Sequence, residues 1–456
     1  MTDWTSGLVA ETLQIPDPAG AARRFRAVST DTRTLTEGDL FVALSGERFD
    51  GHDFLEAARD AGASGAVVCR GTRPVEGLAL FEVEDTLPAL HRLASRRRED
   101  VTGPVVGITG TNGKTATKEL LARALGVRWS VHATRGSLNN EIGVPLTILA
   151  TPDDTDALVV EAGASERGEI ERLRRIIAPT AAIITNVSTG HVEGFGSLEA
   201  VLEEKLFILH GVNSAVVGTD PPDLIERARA LGVPTASAGL GNGAEVRPDS
   251  WCLDGIGRPE LVFRGQRVRI PLLGRHQGEN AMLVLALAEV LGLDIKSVAE
   301  ALETVTLPDG RCQLLRAGGL TVLNDSYNAN PASFAAALET AAVLCGRRPL
   351  VVIVGTMLEL GPTTIEAHES VADAIVAAEP AVIGALGAFV PAFERHHDLL
   401  AGRLVIADEA KELGRRVASR LVGSEFVLLK ASRGVQLERA LPHILPNREA
   451  QCSTTS

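Results

Sequence analysis

The chain is poor in cysteine and lacks any excess of basic residues. Its five cysteines are scattered through 456 residues without a C-x-x-C pair. This spacing argues against a disulfide framework or a zinc site and favours reduced thiols. The formal net charge is -13, which argues against a surface that coats nucleic acid, although a local basic pocket remains compatible with it.

Long apolar runs are also missing. The N-terminal segment MTDWTSGLVAETLQIPDP has neither the basic nor the apolar region of a signal peptide. The apolar run at 380–393 is too short to cross a bilayer, and Glu289 interrupts the run at 281–293. We therefore predict a cytoplasmic protein with no membrane or nucleic-acid partner, and we expect a monomer.

The length exceeds one ordinary hydrophobic core, and short apolar runs alternate with helical stretches. This pattern predicts an α/β fold in three domains. Residues 1–100 form a small N-terminal α/β domain, 101–308 a central domain with a P-loop-type parallel sheet, and 309–456 a C-terminal Rossmann-like α/β domain. The linkers near 101 and 308 are expected to be hinges. The basic run 96–98 is expected to be a solvated helix end.

Apolar runs mark the expected strands. These are 39–44, 65–70, 104–109, 157–160, 181–185, 213–218, 320–325, 350–355, 381–386 and 426–430. An alternating stretch at 261–272 is typical of antiparallel strands. Helices are predicted at 53–61, 114–125 and 277–291.

The segment GITGTNGKTATKE, residues 107–119, has the composition of a phosphate-binding loop. It joins a predicted strand to a predicted helix, where free N–H groups and the helix dipole favour an anion. Gly110 and Gly113 allow the backbone to curl around phosphates. Lys114 can reach the phosphates, and the Thr115 hydroxyl can hold Mg²⁺. By itself, a Gly-rich turn with a surface lysine explains the motif equally well.

Polar residues follow the central strands at the edge where ligands bind in such sheets. Glu161 follows one strand, and Asn186 and His191 lie in the loop after the next. Lys205 lies on the following helix, for which Ser197 is a plausible N-cap. Glu161 and His191 suit an Mg²⁺ beside the phosphates. Taken singly, each has an ordinary explanation: a helix cap, a loop histidine, a surface lysine.

These residues together resemble the Mur ligases. The loop at 107–119 is similar to the ATP loop of that family. The segments DTRTLTEGDLFVALSGERFDGHDF (31–54), GSLNNEIGVPLTIL (136–149), TNVSTGHVEGFGS (185–197), GRHQGENA (274–281) and PDGR (308–311) resemble family motifs along nearly the whole chain. The most discriminating stretch is NDSYNANPASFAAAL (324–338), supported by MLELG (357–361) and KASRGVQLE (430–438). It resembles the members that add D-alanyl-D-alanine to UDP-N-acetylmuramoyl-tripeptide.

The resemblance implies roles for individual residues. ATP would be held by Gly110, Thr111, Asn112, Gly113, Lys114, Thr115, Asn280, Arg311 and Asp325. Thr115 and Glu161 would bind one Mg²⁺ and His191 a second, and Lys205 would be a carbamate that offers oxygen ligands to metal. Lys114, His191, Lys205 and Arg311 would serve catalysis. Substrates would be bound by Asp31, Thr32, Arg33, Asn139, Asn140, Tyr327, Asn328 and Asn330.

The implied reaction phosphorylates the tripeptide carboxylate with ATP, after which the dipeptide amine attacks the acyl phosphate. Two alternatives stand beside it. One is a sister ligase of the Mur or folylpolyglutamate type, against which the 324–331 segment argues. The other is a nucleotide-binding regulator without catalysis, against which the intact Lys114, Glu161, His191 and Lys205 argue. The sequence also departs from the family pattern at Ala162, Thr189, Gly190, Ser137, Gln277 and Thr356.

Overall fold

The computed structural model describes residues 3–19, 23–46, 49–188, 192–400 and 402–445. They form a mixed α/β structure in which parallel sheets dominate, as predicted. Within the described residues, no helix is both long and apolar enough to cross a bilayer.

The N-terminal part has a parallel sheet of order β3-β4-β7-β8 with two small antiparallel pairs beside it. Its strands are β1 (Trp4–Thr5), β2 (Arg24–Phe25), β3 (Val28–Ser29), β4 (Leu40–Val42), β5 (Ser45–Gly46), β6 (Phe49–Asp50), β7 (Gly65–Cys69) and β8 (Ala79–Val83). Its helices are α1 (Ser6–Leu13), α2 (Leu55–Asp60) and α3 (Thr86–Arg98), with a 3₁₀ turn at Gly51–Phe54.

The central part is built on a parallel sheet of order β10-β11-β9-β12-β13-β14, followed by an antiparallel sheet of order β15-β16-β17. The strands are β9 (Val105–Thr109), β10 (Val131–Ala133), β11 (Ala157–Glu161), β12 (Ala181–Ile184), β13 (Ser214–Val217), β14 (Thr235–Ser237), β15 (Ser250–Leu253), β16 (Pro259–Phe263) and β17 (Gln266–Arg269). The helices are α4 (Lys114–Leu125), α5 (Gly143–Leu149), α6 (Glu169–Ile177), α7 (Val192–Phe195), α8 (Leu198–Leu206), α9 (Leu224–Ala230), α10 (Arg275–Val290) and α11 (Ile295–Leu302), with a 3₁₀ turn at Phe207–Leu209.

The C-terminal part has a sheet of order β18-β19-β23-β20-β21-β22, parallel except for β18. The strands are β18 (Gln313–Ala317), β19 (Leu320–Asp325), β20 (Leu350–Val354), β21 (Val382–Ala385), β22 (Leu404–Ile406) and β23 (Phe426–Lys430). The helices are α12 (Pro331–Cys345), α13 (Thr364–Ala377), α14 (Phe389–Glu394), α15 (Ala410–Ala418) and α16 (Leu441–Ile444), with 3₁₀ turns at Gly361–Thr363, Arg433–Val435 and Leu437–Ala440.

The inner strands of the two large sheets are mostly apolar because helices cover both faces. Every residue of β9, β11, β12 and β23 is buried. The predicted strands at 157–160, 181–185 and 426–430 are therefore found within a residue or so of their expected ends. The helix predicted at 114–125 has the expected bounds.

The N-terminal and central parts share one hydrophobic core. Leu90 and Leu93 of α3 belong to the same buried cluster as Ile148 of α5 and Leu173 of α6. The C-terminal sheet is instead packed around two clusters made almost entirely of its own residues. The fold thus joins the first two parts more closely than it joins either to the third.

The expected solvated helix end at 96–98 is wrong. Arg98 is buried, and its guanidinium donates to the carbonyls of Ile177, Val101 and Ala178 at 2.7, 2.9 and 2.8 Å. Arg97 is buried as well and contacts Asp100 at 2.6 Å. A charged fork can satisfy several carbonyls at once, which is why arginine is tolerated in this position. The linker near 101 is therefore tied to the central part and does not have the free backbone expected of a hinge.

Candidate active site

The phosphate loop lies between β9 and α4, as the sequence predicts. Gly110 has φ +142° and Gly113 has φ +82°, conformations that favour glycine. A Cβ on Gly110 would lie 1.9 Å from Thr185 Oγ1, and one on Gly113 would lie 2.4 Å from Asn280 Oδ1. Gly110 therefore requires glycine for space as well as for backbone conformation, while at Gly113 the positive φ favours glycine and a Cβ would displace the Asn280 side chain.

The loop is held by the strand-end residues of β12. Thr185 Oγ1 and Asn186 Nδ2 donate to the carbonyl of Asn112 at 2.5 and 3.1 Å. The N–H of Asn112 donates to Asn186 Oδ1 at 3.1 Å, and the N–H of Ser188 donates to Thr111 Oγ1 at 3.0 Å. The curl of the loop is thus fixed by side chains on the neighbouring strand.

Lys114 begins α4 and turns back over the loop. Its Nζ donates to the carbonyls of Gly110 and Thr111 at 2.8 and 3.2 Å. Burial lowers the pKa of Lys114, an effect that the carboxylate of Glu161 opposes and the charge of Arg311 reinforces. The lysine is partly buried against the loop, so the expectation of a simply solvent-facing side chain does not hold.

Two side-chain oxygens that suit a hard cation meet beside the loop. Thr115 Oγ1 donates to Glu161 Oε2 at 2.9 Å, while Asn139 Nδ2 donates to Glu161 Oε1 at 2.8 Å. Two cis ligands of an octahedral Mg²⁺, each about 2.05 Å from the metal, stand about 2.9 Å apart. The buried Glu161 and Thr115 therefore fit one hard cation, whose other ligands would be phosphate and water.

Lys205 lies on α8, as predicted, in the last turn of that helix. It is 1% exposed, so it is not a surface lysine. Burial first, and the charge of Lys114 second, lower its pKa to about 7. Ser197 caps the same helix by accepting the N–H of Ala200 at 3.2 Å, as predicted. His191 lies outside the described residues.

Residues of the C-terminal part close the other side of the site. Asp325 ends β19 and accepts Lys430 Nζ at 2.5 Å and the N–H of Cys312 at 3.1 Å. The guanidinium of Arg311 lies 3.8 Å from the ring centroid of Tyr327, a cation–π contact. Asn328 is exposed beside them.

Asn330 links the two sides. It caps α12 by accepting the N–H of Ser333 at 2.9 Å, and its Nδ2 donates to Asn112 Oδ1 at 2.8 Å. Helix capping is a common role for asparagine in a turn. Asn330 therefore has a second role here, the contact with the phosphate loop. The side-chain oxygen of Asn140 also has a local partner, because Oδ1 accepts the N–H of Gly143 at 2.8 Å.

A cavity of about 510 Å³ lies between these elements. It brings together many of the predicted residues: Thr111, Asn112, Gly113, Lys114, Thr115, Asn139, Asn140, Glu161, Asn280, Arg311, Asp325, Tyr327, Asn328 and Asn330. Gly110 and Lys205 do not line the cavity. The Gly110 carbonyl accepts a hydrogen bond from Lys114 Nζ, and the charge of Lys114 lowers the pKa of Lys205.

The predicted uridine residues stand apart from this cavity on the N-terminal part. Two nitrogens of the Arg33 guanidinium, Nε and Nη2, donate to the Asp31 carboxylate at 2.9 and 2.7 Å. This side-chain hydrogen bonding holds the pKa of Asp31 at about 2. Thr32 lies between them and is half-buried.

Sequence reasoning missed several supporting residues. Thr134 Oγ1 accepts the N–H of Glu161 at 3.0 Å, and the buried Lys118 donates to the Thr134 carbonyl at 2.6 Å. Glu204 accepts the N–H groups of Gly168 and Ile170, both at 2.7 Å, and so caps α6. The spacing of these residues carries no signal of such contacts because each pair is distant in sequence.

Family models match most of the chain in three consecutive pieces. They are described as Mur ligase family, catalytic domain, over residues 24–98; Mur ligase middle domain, over 108–288; and Mur ligase, glutamate ligase domain, over 310–433. A UDP-N-acetylmuramoyl-tripeptide--D-alanyl-D-alanine ligase of Bacillus subtilis is 34% identical over 92% of this chain and 93% of its own length. The chain belongs to the Mur ligase family.

Solved Mur ligase structures agree with the fold. A crystal structure of MurF from Acinetobacter baumannii has a TM-score of 0.87 at 28% identity and covers 98% of this chain and 100% of its own. A MurF ligase from Thermotoga maritima in complex with ADP has a TM-score of 0.79 at 28% identity, over 92% of this chain and 97% of its own. The three-domain α/β architecture predicted from the sequence is thereby confirmed.

Proposed function

We propose that this Mur ligase joins D-alanyl-D-alanine to UDP-N-acetylmuramoyl-tripeptide at the expense of ATP, the last cytoplasmic step in making the peptidoglycan precursor. The observation that carries the proposal is the single cavity in which the phosphate loop faces the NDSYNANP segment. The similarity to ligases named for this reaction supports it over most of the chain.

We assign one substrate to each part of the chain. Residues 1–100 bind the uridine end of UDP-N-acetylmuramoyl-tripeptide through Asp31, Thr32 and Arg33. Residues 101–308 bind ATP, and residues 309–456 bring the dipeptide. Asn139 and Asn140 line the cavity on the central side, where the peptide end of the precursor would have to arrive. A three-part arrangement suits a reaction with three substrates, because each can be held before closure excludes water.

ATP fits the phosphate loop on physical grounds. The N-terminus of α4, the two glycines without room for a Cβ and the Lys114 ammonium all favour a polyphosphate. Asn280 lies against the loop, and Arg311 and Asp325 face it from the C-terminal side. Asn280 is oriented by Gln277, whose Oε1 accepts its Nδ2 hydrogen at 3.1 Å, so glutamine at 277 still supports this contact.

One Mg²⁺ is assigned to Thr115 and Glu161 and a second to His191, with a carbamate on Lys205 as a further oxygen ligand for metal. The metal would neutralise phosphate charge. Glu161 is held for this task by Asn139 and by the N–H contact with Thr134. A lysine whose pKa is lowered to about 7 has a substantial neutral fraction near pH 7 and is a suitable amine for carbamate formation, whereas a bare ammonium at this depth would repel the cation.

The reaction has two steps. The terminal carboxylate of the tripeptide attacks the γ-phosphorus of ATP, giving an acyl phosphate and ADP. The dipeptide amine, after losing a proton, attacks the acyl carbon to give a tetrahedral intermediate, and phosphate leaves as the amide forms. Lys114 and Arg311 stabilise the charge that develops on the phosphoryl oxygens, and the protein contributes mainly positioning.

One experiment tests the whole proposal. The protein is incubated with ATP, Mg²⁺, D-alanyl-D-alanine and a UDP-muramoyl-tripeptide, in parallel with meso-diaminopimelate or lysine as the third residue. We expect a pentapeptide product by mass and ADP formation that requires both co-substrates. ATP hydrolysis independent of both would favour a nucleotide-dependent regulator. Product with a single amino acid or glutamate in place of the dipeptide would favour a sister ligase.

A further inference from the structure

The dipeptide of the proposed function is a zwitterion. Its α-amino group has an ordinary pKa of about 8 and its carboxyl group of about 3.5, so both ends are charged near pH 7. Transferring such a ligand from water is costly unless each end meets an opposite charge. A site that selects D-alanyl-D-alanine is therefore expected to present one anion and one cation.

Three strand-end loops of the C-terminal sheet meet at one side chain. Ser432 Oγ accepts the N–H of Leu358 at 2.9 Å and donates to the carbonyl of Ala329 at 3.3 Å. These three residues, which we call the Ser432 junction, follow β23, β20 and β19. Because those strands are neighbours in the sheet, their loops share its carboxyl edge, where ligands gather in open α/β folds.

Opposite charges flank the junction. Glu359 directly follows Leu358, and Arg433 directly follows Ser432; both side chains are exposed. Glu359 has φ +65°, which is unusual for a residue other than glycine. Its carbonyl accepts the N–H of Glu193, in α7 of the central part, at 3.4 Å. Such backbone strain persists where surrounding contacts impose it, and it clusters at functional sites.

The anion lies on the side of the phosphate loop. The pKa of Lys114 is lowered by burial, and the carboxylate of Glu359 is among the charges that oppose this effect. Glu359 therefore acts electrostatically on the group that would hold the transferred phosphate. A dipeptide ammonium bound by this carboxylate would arrive next to the acyl phosphate.

The cation lies over the tyrosine ring. The guanidinium of Arg433 is 5.6 Å from the ring centroid of Tyr327 and pairs with Glu438 at 2.9 Å on the exposed side. Lys430, another cation at this edge, is committed to Asp325 at 2.5 Å. Arg311 stacks on the same ring but influences Lys114 and belongs to the nucleotide side. Because the Lys430–Asp325 pair is buried while the Arg433 side chain is largely exposed despite its pair with Glu438, Arg433 is the cation better placed for a carboxylate on the dipeptide side.

We propose that Glu359 and Arg433 are the specificity residues for the two ends of the dipeptide, Glu359 binding the ammonium and Arg433 the terminal carboxylate. The Ser432 junction holds together the two loops that carry these side chains. The assignment rests on the proposed ligase activity and adds to it the groups that recognise the incoming substrate.

The carboxylate end is tested by changing enzyme and ligand together. Steady-state kinetics compare D-alanyl-D-alanine with its C-terminal amide, which keeps the attacking amine. The wild type should prefer the acid by about ten- to hundredfold in kcat/KM, the effect of one charge-assisted contact. In Arg433→Gln this preference should fall to about threefold or less, and Arg433→Lys should restore part of it. Arg439→Gln, an exposed arginine on the same segment, is the control and should keep the full preference.

The ammonium end is tested with Glu359→Gln. We expect the KM for D-alanyl-D-alanine to rise about tenfold or more, with the KM values for ATP and the precursor changed by less than about threefold. Glu366→Gln, an exposed glutamate on the following helix, should behave as the wild type. A defect confined to the KM for ATP would show that Glu359 serves Lys114 instead of the dipeptide, and would overturn its assignment.

The outcomes separate this inference from the proposed function. If the wild type makes no pentapeptide, the ligase activity itself is wrong. If it does, and Arg433→Gln still prefers the acid over the amide as strongly as the wild type, the activity stands and the carboxylate assignment is overturned.

Discussion

Asn330 and Asn112 exchange side-chain hydrogen bonds across the active site. Asn330 Nδ2 donates to Asn112 Oδ1 at 2.8 Å, and Asn112 Nδ2 donates to Asn330 Oδ1 at 3.4 Å. One asparagine caps a helix of the C-terminal sheet, and the other belongs to the phosphate loop of the central sheet. The contact therefore reports directly on how the C-terminal part meets the nucleotide.

Asn330→Ser isolates that contact. Serine caps helices about as well as asparagine but is too short to bridge to Asn112. We expect the apparent melting temperature to change by less than about 2 °C and kcat/KM for ATP to fall by about three- to tenfold, the effect of roughly one net hydrogen bond. Asn330→Ala, which also loses the cap, should show the same kinetic change with an added loss of stability. Wild-type kinetics in the serine variant would mean that the contact has no part in closure.

Lys114→Ala should abolish ligation and leave the fold intact. Alanine is a good helix former at this helix start, whereas removal of the ammonium takes away a charge aimed at the transferred phosphate. We expect kcat/KM to fall by at least about a hundredfold, with a circular dichroism spectrum like that of the wild type. Arg123→Ala, on the exposed face of the same helix, is the control. Near-normal turnover in Lys114→Ala would remove the phosphate-loop assignment.

Lys205 should act as a carbamate and not as an ammonium. Lys205→Ala is expected to lose most activity, while Lys205→Glu should recover part of it because a carboxylate supplies the same kind of oxygen ligand. The variants are compared by product formation at several Mg²⁺ concentrations. An electron-density map of the nucleotide-bound enzyme with a bare amine at Lys205 would contradict the carbamate, whatever the kinetics.

Asn328→Ala tests the loop after β19. The side chain is exposed at the cavity, and its Oδ1 accepts only a local N–H, that of Ala329 at 2.9 Å, among the described contacts. If the loop positions the acceptor amine, the loss should appear chiefly in kcat/KM for D-alanyl-D-alanine when each substrate is varied in turn. An unchanged dipeptide profile together with a lower melting temperature would make the loop structural.

Arg98→Met should destabilise the protein without altering the chemistry. The guanidinium satisfies the carbonyls of Ile177, Val101 and Ala178, and methionine would leave the buried carbonyls of Ile177 and Val101 without this donor. The expected cost is about 2–4 kcal/mol, measured by chemical denaturation. Arg96→Met, a neighbour with more exposed ion pairs, should cost less than about 1 kcal/mol. Equal losses in the two variants would show that the buried carbonyl contacts carry no special weight.

Much of the fold is legible in the sequence because buried parallel strands are continuous apolar runs. The runs at 104–109 and 426–430 correspond to β9 and β23, and the helix after the phosphate loop has its predicted bounds. The cavity also gathers residues that no single motif contains, since strand ends of one sheet share an edge. Their roles as ligands remain predictions.

What the sequence could not reveal depends on partners far along the chain. A run of three arginines predicts a solvated surface, yet Arg98 finds carbonyls about eighty residues away. Lys205 looks like an ordinary amphipathic helix residue, and only the packing of α8 against its neighbours buries it. The sequence around Ser432 does not predict its contacts with Leu358 and Ala329. Those residues lie in two other loops, which the order of strands in the sheet brings beside Ser432.

The core shared by α3, α5 and α6 affects how inhibitors would associate with the enzyme. Because the first two parts share this core, we expect a compound that spans the proposed uridine and phosphate subsites to meet a preformed surface and to bind rapidly. For a compound that bridges the phosphate loop and the Ser432 junction, we expect binding to require an opening and reclosing of the contact between Asn112 and Asn330. Such compounds are expected to show slow-onset inhibition and long residence times. The same conformational step would lower both their association rate and their dissociation rate.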